Sequence, residues 1–117
     1  TIAPHADTSN KRLSLVFYLL EREYPEQMRI DLGTIFYGIK NDGQKWSHSE
    51  RIEGGKTNLL NKDEHIDFLK SYKPIHIAQF QKNTCSGFIK NDISWHGVAK
   101  NKYDYDRKVL VVNILEL

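Results

Sequence analysis

The segment 13–20, Leu-Ser-Leu-Val-Phe-Tyr-Leu-Leu, constrains the fold more than any other part of the chain. Its residues are apolar, β-branched or aromatic at nearly every position, whereas a half-buried strand alternates apolar and polar residues. Such a segment is typical of a strand that is covered on both of its faces. The run 109–115 near the C-terminus has the same character. Together they predict a mostly β protein.

Turn residues divide much of the remaining chain into short strands. Asp42-Gly43 predicts a tight hairpin turn, with 45–52 as the returning strand, and Glu53-Gly54-Gly55-Lys56 predicts another break. Further strands are predicted over 33–39, 75–81, 85–90, 94–98 and 107–115.

One helix is predicted, over 62–71. Asn61 can cap its N-terminus, and Glu64 stands three residues later as the reciprocal partner of a capping box. Ile66 and Leu69 give it a short apolar face, and Pro74 is expected to end it. The whole pattern predicts an all-β fold with one or two short helices, in a sandwich, jelly roll or barrel.

Length and composition limit the function classes. The 117 residues predict a single domain, 1–117. The 17 Lys and Arg residues are nearly balanced by 15 Asp and Glu residues, and their scatter gives no indication of a nucleic-acid partner. No apolar run approaches the roughly 18 residues of a membrane span, and no secretion signal is visible. The lone Cys85, expected to be a small core or strand residue, excludes an internal disulfide, and a cytoplasmic location is expected.

The candidate chemistry lies in four residues. His5 and Asp7 are two positions apart, so their side chains share a face if the segment is extended. With His96 they make the set of two histidines and one carboxylate that binds Fe(II) and leaves coordination positions open. Arg107 follows His96 by 11 residues and can pair with a carboxylate at two points. Strand alternation places Val109, Val111 and Asn113 on the same inward face as Arg107.

The sequence around these residues resembles the 2-oxoglutarate/Fe(II)-dependent oxygenases, most closely the prolyl-hydroxylase-like branch. The stretch 4–8, Pro-His-Ala-Asp-Thr, with the strand 11–19, is similar to the first metal motif of that family. The stretch 33–37, Gly-Thr-Ile-Phe-Tyr, is similar to its glycine-containing strand. Ser94-Trp95-His96-Gly97-Val98, followed by 107–113, resembles the distal histidine and the oxoglutarate-binding strand.

This resemblance implies a double-stranded β-helix, the cupin-like form of the jelly roll, in which His5, Asp7 and His96 hold Fe(II). It implies that 2-oxoglutarate chelates the metal and pairs with Arg107, and it makes Tyr18 the candidate for a further hydroxyl contact. The implied activity is hydroxylation of a C–H bond in an unidentified small-molecule or peptide substrate, with release of succinate and CO2.

Two departures keep other functions open. Only four residues precede His5, so the resemblance implies a domain that lacks N-terminal elements of the family fold. Val109 stands where some branches have a serine that contacts the oxoglutarate carboxylate. The alternatives are a cupin-like domain that binds a metal or a small molecule, and a truncated, inactive oxygenase domain that serves as an interaction module.

Overall fold

The computed structural model describes residues 2–5, 11–46, 52–53, 56–57, 60–89 and 94–116. Within these ranges the chain forms nine strands and two helices. In chain order they are β1 Ile2–His5, β2 Lys11–Leu19, α1 Glu26–Asp31, β3 Thr34–Ile39, β4 Ile52–Glu53, β5 Lys56–Thr57, α2 Lys62–Ser71, β6 Tyr72–Ala78, β7 Cys85–Ile89, β8 His96–Val98 and β9 Lys108–Leu115.

Two antiparallel sheets make up most of the fold. One has four strands in the order β1-β8-β3-β6, and the other has three in the order β7-β2-β9. The short strands β4 and β5 pair only with each other. The prediction of a mostly β protein with one or two short helices is confirmed. No helix in the described ranges is long and apolar enough to cross a membrane.

The expectation that the apolar strands β2 and β9 are covered on both faces is wrong for the residues described. Ser14 and Tyr18 of β2 are only 2% and 4% exposed, but Phe17 on the opposite face is 37% exposed. Leu110 and Ile114 of β9 share that outer face with Phe17 and are also exposed. The inner face of the three-stranded sheet packs toward the four-stranded sheet, whereas the described elements do not cover its outer face.

The hairpin expected after Asp42-Gly43 does not form as predicted. Lys45 and Trp46 are not in a strand, and the neighbours of β3 are β6 and β8. The Trp46 ring packs edge-on against Phe68 at 5.6 Å between centroids, so tertiary aromatic packing replaces strand pairing here. Residues 47–51 lie outside the described residues. The expected break at 53–56 falls between β4 and β5, whose residues Glu53 and Lys56 pair with each other, and Gly54 and Gly55 lie outside the described residues.

The helix α2 occupies the predicted range, and both hydrogen bonds of its capping box are present between Asn61 and Glu64. Pro74 does not end it, because the helix stops at Ser71 and Pro74 lies inside β6. This strand is at an edge of its sheet, where a missing N–H is tolerated. A bulge at Ile75 further interrupts the pairing with β3. The first helix, which follows Pro25, was not predicted.

The buried side chains form two clusters. The α2 cluster joins the helix to the four-stranded sheet through Tyr37, Leu60, Phe68, Tyr72 and Trp95. The Tyr18 cluster, made of Tyr18, Leu32 and Phe80, lies beside the start of β9. Both clusters are dominated by aromatic rings, which bury large areas and pack edge to face.

Candidate functional site

A cavity of about 210 Å³ lies between the two sheets. Its volume is below the roughly 300–1,000 Å³ of pockets for drug-sized ligands, so it suits a small molecule or one end of a larger one. Much of its wall is apolar, with valines from β2, β8 and β9. The polar side chains that line it are His5, Ser14, Thr34, His96, Arg107 and Asn113.

Two of the predicted metal ligands meet at one end of this cavity. His5 pairs with His96 across β1 and β8, and their ring centroids are 4.3 Å apart. Nδ1 of His96 is 2.9 Å from the carbonyl oxygen of Ser94. A carbonyl can only accept, so Nδ1 carries a proton, and Nε2 is the ring nitrogen that a metal would use. A backbone carbonyl orients many metal-binding histidines in this way.

The third predicted ligand, Asp7, lies outside the described residues. Within the described ranges no group of three or more His, Cys, Asp or Glu side chains is arranged to hold a metal ion. The described part of the site therefore supplies two imidazole donors, His5 and His96.

Arg107 lies at the other end of the cavity. Its Nε donates to the carbonyl oxygen of Leu32 at 2.6 Å, and Nη2 donates to Oγ1 of Thr34 at 3.1 Å. Its guanidinium carbon is 5.7 Å and 5.5 Å from the ring centroids of Tyr18 and Phe80. These contacts are all made with neutral groups.

The charge of Arg107 has no acidic counterpart among the residues described, since the ion pairs found there involve other side chains. Burial lowers the pKa of the Arg107 guanidinium from its usual value. An arginine nevertheless stays charged in a protein. A half-buried positive charge with neutral neighbours makes this end of the cavity suited to an anion.

Tyr18 does not line the cavity. Its hydroxyl is 2.8 Å from Oγ1 of Thr34 and 2.8 Å from Oγ of Ser86, and the side chain is 4% exposed. The Thr34 hydroxyl thus joins Tyr18 to Arg107. In this structure Tyr18 supports the arginine through Thr34 rather than facing the cavity itself.

Thr34 owes its position to the residue before it. A Cβ on Gly33 would lie 2.5 Å from the carbonyl oxygen of Ala78, so only glycine allows β3 to begin this close to β6. Sequence reasoning did not identify Thr34 as a site residue. The stretch Gly33-Thr34 resembles the family strand through its glycine, but a contact to Arg107 over 73 positions leaves no local pattern.

The two ends of the cavity are a short distance apart. Thr34 holds the arginine, and Phe36, two residues along β3, pairs directly with His96. Two residues of a strand span about 7 Å. One small molecule with an anionic group and a metal-binding group can therefore reach both ends. The prediction that Val109, Val111 and Asn113 share the inward face with Arg107 is confirmed, because all four line the cavity.

A second, wider groove of about 810 Å³ lies at the edge of the three-stranded sheet, and Leu19, Lys82, Cys85 and Lys108 are among its lining residues. Although it is larger, it contains none of the predicted metal ligands, and Tyr18 is the one predicted site residue among those that line it. Cys85 is an exposed residue of β7, a strand residue as one reading of the sequence expected, but not a core residue.

Comparison of the chain with models of known protein families, with curated proteins and with solved structures finds no match.

Proposed function

We propose that this chain is a 2-oxoglutarate- and Fe(II)-dependent oxygenase domain that hydroxylates a C–H bond of a small-molecule or peptide substrate. One observation carries the proposal: a single cavity has the His5–His96 pair at one end and the charged Arg107 at the other. A metal and an anion are the ligands these two ends would select, and 2-oxoglutarate in complex with Fe(II) joins them in one unit.

The course of the chain supports a double-stranded β-helix as the finer description of the fold. Apart from β3 and β6, which pair with each other, successive strands of the two facing sheets alternate between them, with β1, β3, β6 and β8 in one and β2, β7 and β9 in the other. Double-sheet jelly rolls are built from antiparallel strands arranged in this way.

The residues present fit the implied metal. His5 and His96 offer two imidazoles, and Asp7 is the proposed third ligand. Two histidines and a carboxylate are the donor set of non-haem Fe(II) oxygenases. When bound, the metal and 2-oxoglutarate together supply the activation of O2 and the oxidation of the substrate, so no side-chain base or nucleophile is required.

The opposite end fits the distal carboxylate of 2-oxoglutarate. Arg107 donates one hydrogen bond to Leu32 and one to Thr34. A guanidinium has five N–H groups, so donors remain for a carboxylate. The terminal carbons of a five-carbon chain are about 5 Å apart, which is comparable with the offset between the two ends. The valines make this part of the wall apolar, and an apolar surrounding strengthens charge pairing.

Metal binding is the first test. Anaerobic calorimetry with Mn(II), a redox-stable substitute for Fe(II), should show one site in the parent protein and none in His96→Ala. His76→Ala is the matched control, since His76 lies in the same row of the four-stranded sheet, paired with Phe36, but outside the cavity lining. Equal Mn(II) binding by the parent and His96→Ala would remove His96 from the site.

Cosubstrate binding is the second test. Truncating one partner of a buried charge pair costs about 2–5 kcal/mol. Arg107→Ala should therefore weaken binding of 2-oxoglutarate to the Mn(II)-loaded protein by roughly 30- to 4,000-fold. Arg107→Lys should recover part of the loss, because it restores the charge but not the planar two-point geometry. Mn(II) binding without 2-oxoglutarate binding by the parent would instead favour the cupin-like alternative. Binding of neither would favour the inactive interaction module.

A further inference from the structure

A second polar group faces the cavity near its histidine end. On the inner face of the three-stranded sheet, Ser14 of β2 pairs with Phe88 of β7 on one side and with Asn113 of β9 on the other. The Phe88 ring packs on His96, with 4.4 Å between the ring centroids. The row Phe88–Ser14–Asn113 therefore lies opposite the histidine pair, and all three side chains line the cavity.

The amide of Asn113 is held in one orientation. Ser14, 2% exposed, donates from Oγ to Oδ1 of Asn113 at 2.7 Å. With Oδ1 engaged in this way, Nδ2 is the end of the amide that remains as a donor, and within the described residues the side chain of Asn113 has no other hydrogen-bond partner. The amide hydrogens are thus available to an acceptor in the cavity.

The position of Asn113 in the sequence is also informative. It is the only polar residue among the seven from 109 to 115, and the other inward positions of that run are Val109 and Val111. Asn113 is exposed in the described structure, so its amide is accessible to a ligand that enters the cavity.

We propose that Asn113 is a second anchor of the cosubstrate and that its Nδ2 donates to the keto-acid end of 2-oxoglutarate, opposite the carboxylate held by Arg107. This inference rests on the proposed function. Arg107 comes directly before β9 and Asn113 lies within it, and both side chains line the same cavity. The bound molecule would then be selected for acceptor oxygens at both ends.

The test compares two keto acids on Mn(II)-loaded protein. Pyruvate has the keto-acid end of 2-oxoglutarate but lacks the distal carboxylate. Asn113→Ala should weaken both ligands by about 10- to 100-fold, the worth of a hydrogen bond to a charged group. Arg107→Ala should weaken 2-oxoglutarate and leave pyruvate unchanged. The affinity for Mn(II) alone should stay at the parent value in Asn113→Ala.

A second variant separates ligand binding from a purely structural role. Asn113→Asp keeps an oxygen that accepts from Ser14 but loses the amide donor, so a structural role predicts parent-like binding of both keto acids. Our proposal predicts a loss at least as large as that of Asn113→Ala. Urea unfolding of each variant gives the folded fraction, so a folding defect is not read as a binding defect.

The possible failures are distinguishable. A parent protein that binds 2-oxoglutarate, together with Asn113 variants that bind it equally well, overturns this inference and leaves the proposed function standing. Loss of 2-oxoglutarate binding with unchanged pyruvate binding would show that Asn113 does not hold the keto-acid end. A Mn(II)-loaded parent that binds neither ligand would overturn the inference and the proposed function together.

Discussion

The two ends of the cavity are held in place by different means. Around Arg107 lie Tyr18, Leu32 and Phe80, which are 4%, 1% and 0% exposed, and the guanidinium is fixed by two hydrogen bonds. The histidine pair depends on β1 and β8, strands of only four and three residues. The anion end is therefore built into the core, whereas the histidine end depends on a short strand pairing. This difference predicts that mutations at the two ends will have unequal effects on stability.

A phenylalanine at each end provides the most direct comparison. Phe80 is fully buried beneath Arg107, whereas Phe88 is half-buried against His96. Phe80→Ala should lower the free energy of unfolding by about 3–5 kcal/mol, as for a fully buried ring. Phe88→Ala should lower it by about 1–2 kcal/mol, because less of its surface is transferred to water on unfolding. Urea denaturation measures both values. Equal losses would contradict the conclusion that the anion end is built into the core and the histidine end is not.

The hydroxyl of Thr34 allows a finer test of the anion end. Thr34→Val removes one partner from Arg107 and one from Tyr18, so it should cost about 1–3 kcal/mol of stability. It should also weaken 2-oxoglutarate binding, because the guanidinium loses part of its support. The matched control is Ser86→Ala, which removes the other partner of Tyr18 and leaves both hydrogen bonds of Arg107 in place. If both variants bind 2-oxoglutarate as the parent does, Thr34 does not position the arginine.

The smallest expected effect is a change in stability at low pH. The chain just before Arg107 is tied to α1 by Asp31, which accepts hydrogen bonds from Tyr103 and Gln27 and pairs with Lys102. These contacts lower the pKa of the Asp31 carboxyl from its usual value, and the hydrogen bond from Tyr103 has the largest effect. A carboxyl whose pKa is lower in the folded state stabilises the fold above its unfolded pKa of about 4, and this contribution is lost as the pH falls through the folded value.

Asp31→Asn should therefore make thermal stability less dependent on pH below about 4. Melting temperatures over a pH series would measure the effect, and Asp67→Asn, on the exposed surface of α2, is the control. A parent and an Asp31→Asn variant with parallel acid profiles would show that Asp31 does not fasten this loop.

Local signals in the sequence were sufficient for some elements. The capping box of Asn61 and Glu64 lies within one turn of chain, and α2 begins and ends where the sequence predicts. The apolar runs likewise locate β2 and β9, with ends within two residues of those predicted. What the runs did not reveal is that the outer face of both strands stays exposed. An apolar pattern reports what a face can bury, and only the tertiary structure decides whether a partner covers it.

Some residues of the candidate site could likewise be predicted from the sequence, and others could not. His5, His96 and Arg107 were expected from residue type and spacing, and the structure brings them to one cavity. Thr34 and Ser14 were not expected, because each acts through a partner more than 70 positions away in the chain. Hydroxyl residues are common in strands, so residue type alone does not single them out. Their roles come from strand pairing, which brings distant segments together.

Two of the edge strands, β6 and β9, imply different association behaviour at high protein concentration. The edge strand β6 contains Lys73, Pro74 and a bulge, and each of these features discourages another strand from adding to it. In the described structure β9 pairs on one side only, and no charged residue interrupts it between Lys108 and Glu116. An unprotected apolar edge is a template for aggregation. We therefore expect self-association to begin at β9, and a lysine in place of Val112 should suppress it by placing a charge in the middle of that edge.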